Sequence, residues 1–246
     1  MLEINDLCVE IHGKPVLKSI NITIPDGETH ILFGPNGSGK TSLLMTIMGY
    51  PQYMVTKGSI RYNSRELTLL PMDERSQAGI GMFFQRPPSI KGIKLSEMTE
   101  LIRSKSGVNI DTPVAVKSLH LEDLMDRDIN SGFSGGEIKR SELLQLFAQK
   151  PGFLMLDEPE SGVDIENMKL IGGKIRTLLE RDLEKSQRSK SALIITHTGY
   201  IMDYVDADAG YTLLDGMIKC RHDAGTLFED IKKHGFRECG ECKNTI

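Results

Sequence analysis

The sequence has no apolar run approaching the roughly 20 residues that span a bilayer, so direct membrane insertion is not expected. It has no excess of basic residues: 30 Lys and Arg stand against 34 Asp and Glu, a net charge of −4. Without a basic footprint, nucleic acid is not the expected partner. The first residues, Met1-Leu2-Glu3-Ile4-Asn5-Asp6, offer neither the basic nor the apolar stretch of a secretory signal, and the expected location is cytoplasmic. Cysteine is scarce. Cys8, Cys220, Cys239 and Cys242 read as reduced thiols rather than a disulfide framework. Residues 86–133 carry no heptad repeat, which excludes a long coiled-coil insertion. What is present, 39% hydrophobic and 26% charged residues over 246 positions, suits one large α/β domain or two small ones.

The most informative stretch is Gly34-Pro35-Asn36-Gly37-Ser38-Gly39-Lys40-Thr41. It fits G-x-x-x-x-G-K-[ST] and lies between an apolar strand pattern (His30–Phe33) and a helix pattern (Ser42–Met48), the context that gives this motif its meaning. Glycines let successive backbone N–H groups turn toward β- and γ-phosphate oxygens, and the helix start adds its positive end. Lys40 supplies a mobile cation for the same oxygens, and the Thr41 hydroxyl is a ligand for Mg²⁺. The motif points to a nucleoside triphosphate.

The remaining chain adds groups suited to one reaction. Gly79–Phe84 reads as a buried strand ending at Gln85, whose side-chain carbonyl can reach Mg²⁺ or an attacking water. Residues 86–133 read as short helices, over Leu95–Arg103, Pro113–Leu119 and Leu121–Met125. Ser134-Gly135-Gly136-Glu137 opens a helix running to Gln149, with Ile138, Leu143, Leu144, Phe147 and Ala148 on its packed face. Its start is either a second phosphate-binding end, serving the nucleotide of a second copy, or a plain Ser N-cap. Phe153–Leu156 is a continuous apolar run, as in a strand buried on both faces, and ends in Asp157 and Glu158. Asp157 is placed to order the Mg²⁺ shell and Glu158 to polarise a water. A helix is expected over Glu166–Glu184, and Arg181–Lys190 reads as solvated surface. Ser191–Thr196 is another buried strand ending at His197, which can bond a γ-phosphate oxygen or the water. Asp215-Gly216 reads as a hairpin and Gly225–His234 as a helix. His12 is either a base-stacking group or an exposed hairpin residue. Cys239 and Cys242 are either a bare reduced pair or half of a Zn or Fe–S site.

Together these residues resemble the ATP-binding cassette (ABC) ATPases, over essentially the whole chain. Gly34–Thr41 is similar to their Walker A, Gln85 to the Q-loop, Ser134–Glu137 to the signature, Leu154–Glu158 to Walker B, Ser161–Asp164 to the D-loop and His197 to the switch histidine. A narrower resemblance is to the SufC-type ATPases of Suf iron–sulfur cluster assembly. It is carried by Gly132–Glu142, by Asp157-Glu158-Pro159-Glu160-Ser161-Gly162-Val163-Asp164-Ile165 and by Phe84–Ile93, with Val163, Ile138 and the Cys-containing tail as departures.

The resemblance implies a RecA-like α/β core, an antiparallel β subdomain and an inserted helical subdomain, all in one ABC domain. Residues 1–85 and 150–234 would form the catalytic lobe, 86–149 the helical subdomain with the signature helix, and 235–246 the tail. It implies ATP and Mg²⁺, with Gly34, Pro35, Asn36, Gly37, Ser38, Gly39, Lys40, Thr41, Ser42, Asp157 and Asp164 at the nucleotide. Thr41, Gln85 and Asp157 would lie by the metal. Ser134, Gly135 and Gly136 of a second copy would complete the site, and Glu158, His197 and Gln85 would act in hydrolysis. The implied partner is a SufB/SufD-like scaffold in a 2:2 complex. The alternative is the cytoplasmic ATP-binding subunit of a membrane transporter. Lys139, two residues past the signature, is expected to hold Glu158 off line.

Overall fold

The computed structural model describes residues 1–108 and 110–238. Strands β1 (Leu2–Ile11) and β2 (Lys14–Ile24) form an antiparallel hairpin that turns at His12-Gly13, both at positive φ. Alternate residues of both strands are buried, so one face is apolar. Strand β3 (Thr29–Phe33) follows, then helix α1 (Lys40–Met48), β4 (Met54–Tyr62) and the two-residue β5 (Arg65–Glu66). The order β2-β1-β4-β5 makes a four-stranded antiparallel sheet.

Helix α2 (Met72–Gln77) leads to β6 (Ile80–Phe83). The insert then holds β7 (Ile90–Lys94), α3 (Leu95–Ser106), α4 (Thr112–Ser118) and β8 (Asp128–Ile129), and ends in α5 (Gly135–Gln149). The chain closes with β9 (Phe153–Asp157), α6 (Ile165–Leu178), β10 (Ser191–Ile195), β11 (Ala209–Leu214), β12 (Met217–His222) and α7 (Ala224–Glu238).

The central sheet has the order β12-β11-β3-β10-β9-β6; only β12 runs antiparallel to its neighbour. Its inner strands β3, β9 and β10 are buried on both faces, hence the apolar runs that fill most of β9 and β10; β3 buries Thr29 and His30 as well. Side-chain alternation divides them between two cores. Phe153, Met155, Leu193 and Ile195 pack with α1 and the antiparallel sheet, whereas Leu154, Leu156, Ala192 and Ile194 pack with α5, α6 and the insert. The α/β cassette expectation is met in all three of its parts. No helix among the described residues is long and apolar enough to cross a membrane.

The structure corrects several local expectations. The insert is not wholly helical: β7 and β8 pair across it. Helix α6 stops at Leu178, short of Glu184. Glu180 is in the left-handed region (φ 55) and Arg181 turns inward, where it meets Asp208 at 2.9 Å. Arg181 is therefore buried, not solvated surface. The expected helix over Gly225–His234 is present and is broken at Gly235, whose φ 74 and ψ 175 are non-helical. Cys239 and Cys242 lie outside the described residues.

Candidate nucleotide-binding and hydrolytic site

The carboxyl ends of β3, β9 and β10 and the end of β6 converge on one side of the sheet, where parallel α/β sheets bind ligands. There a cleft of about 790 Å³ is lined by Asn36, Gly37, Gly39, Lys40, Thr41 and Ser42, with Gln85, Glu158 and His197 opposite. Gly39 takes φ 108 to start α1, a conformation unfavourable for a side chain, and no side chain caps the helix. The first amides of α1 are thereby left for an anion. Lys40, almost fully buried, donates from Nζ to Gly34 O (2.7 Å) and Pro35 O (3.0 Å). Burial lowers its pKa, against the raising effect of Glu158 and Asp157. A phosphate entering this loop competes with those two carbonyls for the ammonium.

Thr41 Oγ1 donates to Asp157 Oδ2 at 3.1 Å, while Asp157 Oδ1 is buried without a partner. Burial pushes the Asp157 carboxyl up, opposed first by the Thr41 hydrogen bond. A hydroxyl and a carboxylate with a spare oxygen beside a phosphate loop are a hard, all-oxygen donor set that fits Mg²⁺ bound jointly with a nucleotide. Among the described residues no cluster of three His, Cys, Asp or Glu side chains can hold a metal by itself.

Glu158 is held from both sides. Gln85 Nε2 donates to its Oε2 at 2.5 Å, and His197 Nε2 contacts Oε1. Its backbone lies at φ 47, in the left-handed region, which is uncommon for a residue with a side chain. Its amide donates to Ile195 O (3.0 Å), which ties the turn to the end of β10.

Ser134 caps α5: its Oγ accepts from Glu137 N–H (3.4 Å), and Glu137 Oε2 accepts from Ser134 N–H (2.6 Å). A β-carbon on Gly135 would sit 2.6 Å from Gly162 O, so the close approach of α5 to the 161–164 loop requires glycine there. Asp164 caps α6, accepting from Asn167 N–H (2.8 Å) and Asn167 Nδ2 (2.8 Å). Ser134, Gly135, Gly136 and Asp164 thus lie together at the α5–α6 junction, away from the cleft of their own chain. His12 is exposed at its hairpin tip, and the corresponding wall of the cleft is Pro15, Val16 and Lys18 with Asp215 and Gly216. The Asp215-Gly216 pattern signalled a hairpin but not its docking on the phosphate loop, where Gly216 N–H donates to Ser38 O (3.0 Å).

Lys139 does not pair with Glu158. Its Nζ donates to Phe84 O (2.7 Å) and Gln85 O (2.9 Å) and lies 4.6 Å from the Phe83 ring centre. Glu142 Oε1 accepts from Phe84 N–H at 2.9 Å. Two side chains of α5 therefore hold the backbone that presents Gln85. Burial pushes the Glu142 carboxyl up to about 8, opposed by Lys139 and then by the Phe84 amide. An acid with a raised folded-state pKa binds an extra proton when folded. Its contribution is full below the ordinary glutamate value of 4.5 and is lost as pH rises through about 8. Thermal melts should accordingly show the parent losing more Tm between about pH 5 and about pH 8 than Glu142→Gln, which keeps the Phe84 acceptor without titrating. Equal slopes would mean that Lys139 already holds Glu142 ionised.

A phosphate loop at a strand–helix junction, facing a buried aspartate, a glutamate and a histidine on adjacent strand ends, defines a P-loop nucleoside triphosphatase. Residues 17–161 match the family model described as ABC transporter, and the chain belongs to that family of ATP-binding cassette ATPases. It is 35% identical over 246 residues to "Vegetative protein 296" of Bacillus subtilis, covering 96% of this chain and 91% of that one. A probable ABC transporter ATP-binding protein of Streptococcus pyogenes serotype M3 is 34% identical, with 96% and 93% covered. The "probable ATP-dependent transporter ycf16" of Pyropia yezoensis is 32% identical, with 96% of each chain covered. Among solved structures, an ATP-binding subunit of an ABC transporter superposes with a TM-score of 0.78 at 21% identity, over 96% of this chain and 94% of that one. A dimeric cassette bound to ADP and Pi superposes with a TM-score of 0.75, also at 21% identity, over 91% of this chain and 98% of that one.

Proposed function

We propose that this ATPase works as a motor for a SufB/SufD-like scaffold of iron–sulfur cluster assembly, two copies closing around two ATP molecules. The observation that carries this reading is the stretch running from the signature to Glu142. Where the resemblance gives transporter cassettes a glutamine at the end of the signature, this chain has Glu137, followed by Lys139 and Glu142. Those two side chains are not decoration, because they grip the backbone at Phe84 and Gln85. A partner seated beside residues 86–94 would thereby act on the strand end that carries Gln85.

In the hydrolytic step the amides of Gly37 to Ser42 and the Lys40 ammonium hold the phosphates, with Ser134–Gly136 of the second copy facing the γ-phosphate. Thr41 and Asp157, with Gln85, are the residues that would hold Mg²⁺, which would supply charge neutralisation to the triphosphate. Glu158 accepts a proton from the attacking water and His197 bonds the γ-phosphate oxygens. Each Glu158 oxygen has one partner, Gln85 or His197, and keeps a second lone pair with which a water can be oriented.

The names of two relatives, an ABC transporter ATP-binding protein and an ATP-dependent transporter, support a second reading as the ATP-binding subunit of a membrane permease. Affinity purification of the tagged full chain from its native cells, with mass spectrometry, separates the two. Stoichiometric recovery of a SufB/SufD-like scaffold is expected; recovery of an integral permease in its place would sink the scaffold reading.

A further inference from the structure

The turn after β9 carries a second carboxylate two residues beyond Glu158. Glu160 Oε1 accepts from Thr196 Oγ1 and, at 3.1 Å, from Thr198 Oγ1. These threonines flank His197, whose Nε2 contacts Glu158. Two alternate residues of one turn thus grip three consecutive residues of the next, Glu158 taking the middle one and Glu160 the outer two. The grip is braced further along, where Thr196 Oγ1 accepts from Gly199 N–H (2.8 Å) and Thr198 Oγ1 from Tyr200 N–H (3.3 Å). Thr196 is fully buried, and Glu160 Oε2 is buried with no partner.

A carboxylate placed there carries a cost. Burial pushes the Glu160 carboxyl up, with the Thr196 hydroxyl the main opposing contact. Its carboxylate caps no helix: α6 is capped by Asp164, and the backbone of the 158–163 turn closes through its own amides, Ser161 N–H to Glu158 O (3.0 Å) and Val163 N–H to Glu160 O (3.4 Å). What the Glu160 side chain fixes is the segment that carries His197.

We infer that Glu160 is a positioning residue, which holds His197 against Glu158 and couples it to the 161–164 loop packed on Gly135. Movement of that loop, when a second copy closes on it, is then delivered to His197 through the two threonines. The inference rests on the hydrolytic roles given above to Glu158 and His197.

The test is a double-mutant cycle on the full-length chain at saturating Mg-ATP. Glu160→Ala should lower kcat about tenfold and change KM for ATP less than about twofold. Glu160→Gln, which keeps one acceptor oxygen, should recover part of the loss. In a His197→Ala background, adding Glu160→Ala should cost nothing further, because residues acting as one unit are not additive. Thr198→Val, an exposed site whose loss leaves the buried grip intact, should lower kcat in the same direction with an unchanged Tm. Losses that multiply in the double variant, or a change in KM without kcat, would overturn the inference while leaving His197 its role. A His197→Ala chain turning over at the parental rate would overturn both.

Discussion

Glu158→Gln should lower ATP turnover by about 10²- to 10⁴-fold, the usual contribution of a positioned general base, with little loss of nucleotide affinity. The substitution is nearly isosteric at a residue that is 9% exposed, so packing is conserved. Its oxygen can still accept from Gln85, and its amide group can donate to a neutral His197 nitrogen, so the contacts on both sides survive in altered polarity. What is lost is the ability to take a proton from water. The phosphate loop, the α1 amides and Lys40 are untouched, so ATP should still bind. With binding intact and hydrolysis blocked, the two-copy ATP form should accumulate. Single-turnover ATPase assays and light scattering in Mg-ATP read the two effects separately. Turnover at the parental rate would remove Glu158 from the hydrolytic step. Loss of turnover together with loss of ATP binding would mean that the glutamate shapes the cleft rather than the chemistry.

The parts of this molecule that can be read from sequence are those where burial and side-chain type coincide. Phe153–Leu156 and Ala192–Ile195 are strands buried on both faces, and burial on both faces is what an unbroken apolar run of that length requires. Gln85, Glu158 and His197 could be placed together because each stands where such a run stops, and parallel strands stop on the same side. Buried charge has no comparable signature. Lys139, Glu142, Glu160 and Arg181 are ordinary polar letters in helices or turns, and their partners lie 27 to 154 positions away, visible only once the chain is folded. Lys139 illustrates the difficulty. Its place two residues past the signature suggested a contact with Glu158, but the carbonyls of Phe84 and Gln85 are what its ammonium reaches. Carbonyl oxygens belong to every residue, so no pattern of residue types could reveal them. Asp164, which the resemblance puts near the nucleotide, also caps the first turn of α6, a contact set by its place just before the helix.

Lys40→Ala should abolish turnover and ATP-driven association together. The ammonium is buried, and its hydrogen bonds go to the carbonyls of its own loop, Gly34 O and Pro35 O. Truncation therefore removes no long-range support, and the fold should keep its Tm to within a few degrees. The anion site, by contrast, loses its mobile cation and keeps only backbone dipoles. Ser134–Gly136 sit at the α5–α6 junction rather than in the cleft of their own chain, so the γ-phosphate must be presented firmly for a second copy to close over it. A weakly held, disordered triphosphate presents nothing to that surface. Both readouts should then fall to background, whereas Glu158→Gln separates them. Equilibrium dialysis with labelled ATP, sedimentation with and without Mg-ATP, and phosphate release on the same preparations measure the three quantities. If Lys40→Ala still associated in ATP while failing to hydrolyse it, closure would not depend on how the γ-phosphate is held. The phosphate loop would then be a catalytic element only, and the force applied to a partner would have to arise after hydrolysis, not on binding.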